Sequence, residues 1–200
     1  AHRGVPSPSA LDGVPVEVQV TGEISAIDPP VRPRERRLSP SAGVNAAGRF
    51  DRPVPIGGST GNGNEVFYRL LSCSAGTLGA RLAGSNGKVY ALSNNHVYAV
   101  ENLGQIGDPA IQPGPADLEF TCLSLDPGDK IGALAAFVPI NFSRGRATNT
   151  VDAAIAEVST GTVGTGTPPD GYGAPGSTTV TAFVGLAVQK YGRTTNLTHG

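Results

Sequence analysis

Val14, Val16, Val18 and Val20 alternate with Pro or polar residues inside segment 12–27, a period-two pattern that predicts a strand with one buried face. Residues 28–59, dominated by Pro, Arg, Ser and Gly, keep no periodicity and read as an extended connector on the surface. Gly57, Gly58, Gly61 and Gly63 then punctuate a loop. They neither follow a strand nor open a helix at phosphate-loop spacing, so no nucleotide site is expected there. The compact part begins near Cys73. Residues 75–83 predict a strand, Gly84-Ser-Asn-Gly87 a tight turn and residues 88–93 the returning strand, with Asn94, Asn95 and His96 directly after it. A loop-rich stretch over 102–130 precedes an apolar β segment at 131–142 and a short strand at 151–158. A Gly/Thr/Pro connection fills 159–177, followed by an apolar run at 178–188 and a basic hairpin at 190–193. Asn196-Leu-Thr-His-Gly200 reads as a hairpin turn with more chain expected beyond it. Short strands joined by long turns predict an all-β barrel or sandwich, divided into two β units by the 159–177 connection.

Composition supports that class. The 200 residues, 38% hydrophobic, suffice for one core and a small second unit. The 28 Gly and 17 Pro follow no repeat period and favour turns and short strands over helices. Fifteen basic against 16 acidic residues leave no nucleic-acid footprint. The basic cluster Arg32-Pro-Arg-Glu-Arg-Arg37 reads as a solvated linker. No apolar run reaches membrane-spanning length and no signal peptide is visible. The absence of Met marks the chain as a processed form or fragment, and with the Thr/Ser/Gly-rich composition it points to a secreted or cell-envelope location. Cys73 and Cys122 either form a single bridge or remain buried thiols; two cysteines make no disulfide framework.

Chemistry narrows to one histidine. His2 and His199 lie near the ends, where exposure is the default. His96 follows a strand in a polar Ser-Asn-Asn context and precedes Val97 and Tyr98. No His-x-x-x-His or Cys-x-x-Cys pair exists, so no metal or other cofactor is expected. Neither cysteine sits where its pKa would fall, which argues against a thiol nucleophile. A general base needs an orienting carboxylate. Asp108, Asp117, Asp126 and Asp129 lie in Gly/Pro loops, where Asp stabilises turns. Asp152 instead opens Val151-Asp-Ala-Ala-Ile-Ala156, at the lip of a core, where burial calls for a hydrogen-bonding partner such as an imidazole N–H.

Gly76-Thr-Leu-Gly-Ala-Arg81 followed by Val89-Tyr-Ala-Leu-Ser-Asn-Asn-His-Val97 resembles the first hairpin and catalytic-histidine turn of trypsin-like serine peptidases. The match is to a bacterial and plant subgroup with Leu-Ser-Asn-Asn-His-Val where typical trypsins have Thr-Ala-Ala-His-Cys. Gly107-Asp-Pro-Ala-Ile-Gln-Pro-Gly114, Asn149-Thr-Val-Asp-Ala-Ala-Ile-Ala156 and Val188-Gln-Lys-Tyr-Gly-Arg-Thr-Thr195 are similar to further motifs of that subgroup. Asp12-Gly-Val-Pro-Val-Glu-Val18 and Arg52-Pro-Val-Pro-Ile-Gly57 resemble its lead-in.

The resemblance implies a chymotrypsin-like double β-barrel and a Ser-His-Asp triad, with His96 as general base and Asp152 as the carboxylate that orients it. It divides the chain into a lead-in at 1–69, a first barrel at 70–158, a connection at 159–177 and the start of a second, incomplete barrel at 178–200. The family's Gly-Asp-Ser-Gly segment, which supplies the nucleophile and oxyanion hole, does not occur here. Ser72, Ser74 and Ser93 lack its flanking glycines. The expected function is therefore serine endopeptidase activity on a protein or peptide substrate, completed by a C-terminal segment that carries the serine; the fragment alone is expected to be inactive. Two alternatives stand beside it. One is a catalytically inactive trypsin-fold binding module, and the other is a plain β-rich surface protein in which His96 and Asp152 lie far apart.

Overall fold

A computed structural model describes residues 10–11, 14–15, 43–70, 73–118, 126–143, 148–176 and 178–200. The chain divides into two units, residues 1–40 and residues 41–200. The described part of the first is a minimal antiparallel pair, β1 (Ala10–Leu11) with β2 (Val14–Pro15). The rest of the strand expected over 12–27 lies outside the described residues, as do the Arg32–Arg37 cluster, His2, Ser72 and Cys122.

The second unit is built on strands β3 (Ser59–Asn62), β4 (Gly76–Thr77), β5 (Ala80–Ala83), β6 (Val89–Ser93), β7 (Pro109–Ile111), β8 (Lys130–Phe137) and β9 (Ala154–Val158). They form one antiparallel sheet in the order β4-β3-β7-β8-β9-β6-β5. Its two edge strands are successive parts of one segment. Only Leu78 and Gly79 separate β4 from β5. Leu78 N–H donates to Gly58 C=O at 2.9 Å on the β3 side, and Gly79 N–H donates to Leu92 C=O at 2.8 Å on the β6 side. A sheet whose edges share a segment curls on itself, which gives it barrel character and leaves few unpaired edge groups. Among the described residues strand outweighs helix, 28% to 10%, in keeping with the β class expected from the alternation.

The interior of so small a barrel is narrow, and the sequence fits it with small residues. Ala91 of β6 pairs with Ala156 of β9, which in turn pairs with Leu134 of β8. These side chains are buried, and the space their size leaves is filled by Leu78, Val97, Tyr98, Val54, Ile56 and Val163. One expectation needs correcting here. The glycine-punctuated loop is in part a fully buried strand, β3, lying upstream of residue 70. A Cβ on Gly61 would meet Pro115 Cδ at 2.5 Å, so these glycines let neighbouring chain approach rather than form an exposed turn. Strand β7 likewise falls within the stretch expected to be loop-rich.

Two further elements differ from the sequence pattern. The apolar run at 178–188 forms no strand, and Val180, Phe183, Val184 and Val188 are exposed. The last residues are not a turn but strand β11 (Asn196–His199), paired with β10 (Gln189–Gly192). This hairpin forms a sheet of its own and docks on the barrel through Arg193, which binds both carboxylate oxygens of Asp117, and through the buried Tyr191, whose hydroxyl donates to Asp170 at 2.8 Å. Among the described residues no helix is long and apolar enough to cross a membrane.

Candidate active site

His96 sits on α1 (Asn95–Tyr98), a single turn that begins two residues after β6 ends. Four residues cannot hold a helix by their own hydrogen bonds, because nucleation is unfavourable. Tertiary contacts hold this one. Val97, Tyr98 and Ala99 are buried in the barrel, and Tyr98 Oη lies 3.1 Å from Thr60 Oγ1. Gly76 of β4 runs directly beneath: a Cβ there would lie 2.3 Å from Val97 Cγ2. Three apolar neighbours inside leave His96 pointing outward, with half of its side chain exposed.

Asp152 lies two residues before β9, and the β6–β9 register brings it beside that turn. The carboxylate meets His96 twice. Oδ2 lies 2.5 Å from Nδ1 of the ring, and Oδ1 accepts the His96 backbone N–H at 3.3 Å. Asn94, which precedes the helix in extended conformation, makes no capping bond; its side-chain amide donates to the Asp152 carbonyl at 3.0 Å. Partial burial would raise the Asp152 carboxyl. The hydrogen bond from the His96 ring, that from its backbone, the imidazole charge and the Asn95 backbone N–H outweigh burial and hold it below the ordinary carboxylate value. An ionised Asp152 fixes the proton on Nδ1 and leaves Nε2 as the free acceptor of the ring.

The other aspartates are engaged elsewhere. Asp108 accepts from Asn62, Asn64, Tyr68 and the Gln105 backbone at 2.8–3.1 Å. Burial would raise its carboxyl, but those four donors keep it low. Asp117 pairs with Arg193 and accepts from Ser59 Oγ, the fully buried Asp129 pairs with the half-exposed Arg49, and Asp126 caps the short turn at Pro127–Asp129. The rule that loop aspartates stabilise turns fits Asp126 and Asp129, which form a capping box, and Asp108, which accepts the Gln105 N–H; Asp108, Asp117 and Asp129 also tie distant segments together.

Ser74 donates its hydroxyl to the buried Glu65, and Ser93 donates to the Thr77 carbonyl. Among the described residues no serine hydroxyl bonds His96. His199 lies on β11 and is exposed. Cys73 is disulfide-bonded. Among the described residues no group of three or more His, Cys, Asp or Glu side chains is arranged to hold a metal ion.

Compared with known families, curated proteins and solved structures, the chain matches none. One part of the site's geometry carries no motif in the sequence. Asn95 is fully buried and bonds Asn102, and Val100, Glu101 and Asn102 all have positive φ, at 48°, 56° and 74°. Left-handed backbone at three successive non-glycine residues, one β-branched, costs about 1–3 kcal/mol per residue. The only signal in the sequence is the recurrence of Asn at 94, 95 and 102, and Asn is common in turns for many reasons.

Proposed function

We propose that this chain carries the general base and orienting carboxylate of a Ser-His-Asp peptidase, His96 and Asp152, and that the nucleophilic serine is supplied from outside its 200 residues. The observation that carries the proposal is the double contact of one carboxylate with the ring Nδ1 and the backbone N–H of a half-exposed histidine. In peptide-bond hydrolysis His96 Nε2 takes the proton of the serine hydroxyl as it attacks the scissile carbonyl, then gives it to the leaving amine. Asp152 keeps the ring in the tautomer that makes Nε2 the acceptor, and stabilises the imidazolium that forms.

The finer architecture belongs to the same proposal. The sheet around His96 is read as the first barrel of a chymotrypsin-type pair, and the β10–β11 hairpin as the start of the second. Supporting this are the circuit β3, β4/β5, β6, β9, β8, β7, which returns to β3, and the separation of the hairpin into its own sheet. The disulfide at Cys73 suits a compartment outside the reducing cytoplasm.

The test is active-site labelling of the full-length protein with a fluorophosphonate, followed by peptide mapping. A label on one seryl residue, lost in His96→Ala, is the expected result. Absence of label in the folded wild-type protein sinks the peptidase and leaves the non-catalytic binding module as the better account.

A further inference from the structure

The side-chain amides of Asn95 and Asn102 tie together the segments on either side of the His96–Asp152 pair. Asn95 Nδ2 donates to Val138 C=O at 2.7 Å and to Asn102 Oδ1 at 2.8 Å, while its Oδ1 accepts the Asn102 N–H at 3.1 Å. Asn102 in turn embraces the main chain of Ile140, donating Nδ2 to its carbonyl at 2.7 Å and accepting its N–H at 2.9 Å. Both amide orientations are dictated by main-chain partners, since an N–H faces each Oδ1 and a carbonyl faces each Nδ2.

These bonds complete a ring. Val138 N–H donates to Ala153 C=O at 2.9 Å, and Ala153 adjoins Asp152. Going round, His96 is bonded covalently to Asn95, Asn95 to Val138 by its amide, Val138 to Ala153 by the backbone, and Asp152 back to the His96 ring. The Asn94 amide on the Asp152 carbonyl closes the other side. The two amides can reach their partners because the chain from Val100 to Asn102 turns left-handed and brings Asn102 back over Asn95. Strain of this kind persists only where surrounding bonds over-determine it.

We propose that Asn95 and Asn102 are positioning residues for the His96–Asp152 pair, which locks the Nδ1–H tautomer through a strained turn; this rests on the peptidase reading above. Asn95→Ala empties a buried polar site and can unfold the chain, so the decisive variant is Asn102→Gly. Glycine accepts the positive φ at that position but supplies no amide. It removes the clamp while sparing the backbone conformation.

The first readout is NMR on this 200-residue chain: the low-field Nδ1 proton of His96, and the ¹⁵N shifts that report its tautomer. The expected result is that Asn102→Gly loses the low-field proton and shifts the neutral ring toward the Nε2–H tautomer, as Asp152→Asn does, while the buried-core signals stay dispersed. In the full-length protein the same variant slows fluorophosphonate labelling about 100-fold, the scale of an ångström-sized misplacement. If Asp152→Asn changes the Nδ1 signature and Asn102→Gly leaves both it and the labelling rate unchanged, the positioning role is overturned and the pair stands. If Asp152→Asn itself leaves the signature unchanged, the pairing on which the peptidase reading depends falls first.

Discussion

Arg193 of the terminal hairpin grips Asp117 of the barrel with both ends of its guanidinium, Nε lying 2.7 Å from Oδ2. Asp117 is nearly buried, and Ser59 Oγ at 2.5 Å is the other side-chain group on the same carboxylate. Removing the cation leaves that carboxylate in low dielectric with a neutral donor. Because Arg193 itself is partly exposed, the full cost of a broken buried pair is not expected. Arg193→Ala is expected to lower unfolding stability by about 1–3 kcal/mol in urea titrations. The double variant with Asp117→Asn should lose less than the sum of the two single losses, since both remove one interaction.

Asp152→Asn separates catalysis from folding. An amide at 152 can still accept the His96 backbone N–H, so stability should change by about 1 kcal/mol or less. It cannot hold Nδ1 protonated in the same way. Under the peptidase reading, fluorophosphonate labelling of the full-length protein should slow on the order of 10³- to 10⁴-fold. A slowing of less than tenfold in stopped labelling assays counts against Asp152 as the orienting carboxylate.

Asp108 predicts part of the acid sensitivity. Its four donors hold the folded carboxyl below its unfolded value, so it contributes stability that is fully present above the unfolded pKa, about 3.9. That contribution is lost as pH falls through the unfolded and then the folded value. Asp108→Asn is expected to be less stable than wild type at neutral pH and to show a shallower loss of stability below about pH 4. Denaturant midpoints measured for both proteins across that range check the slope. Asp152 shares the sign of this effect, so some slope should remain.

Gly76→Ala tests how the barrel floor sets the height of the histidine turn. The added methyl would overlap Val97 Cγ2, and overpacking of this kind costs about 1–3 kcal/mol. Because Val97 follows His96 directly, the His96 Nδ1 resonance should move as well. Val97→Ala in the same chain makes room and should restore much of both, as thermal melts and NMR would report.

The β class and the hairpin ahead of His96 were legible in the chain itself, as were the local reasons for setting His96 and Asp152 apart as candidates from the other histidines and aspartates. Each of these is local. Alternation marks strands, Gly84-Ser-Asn-Gly87 marks a turn, and an aspartate ahead of an apolar strand differs from one in a Gly/Pro loop. The rest depends on contacts between segments distant in the chain. Strand β3 hides in a glycine-rich stretch because its small residues serve packing against Pro115, which propensity does not see. The run at 178–188 is apolar, yet apolar character records only which residues suit burial. Among the described residues no strand of the barrel sheet pairs with it, and its end at Val188 exchanges backbone hydrogen bonds with Gly200 beside the terminal hairpin. Asn95 and Asn102 look like ordinary turn residues until the chain brings Val138 and Ile140 against them. A side-chain amide takes its role from the carbonyl or N–H it meets, and those partners come from segments some 40 residues away.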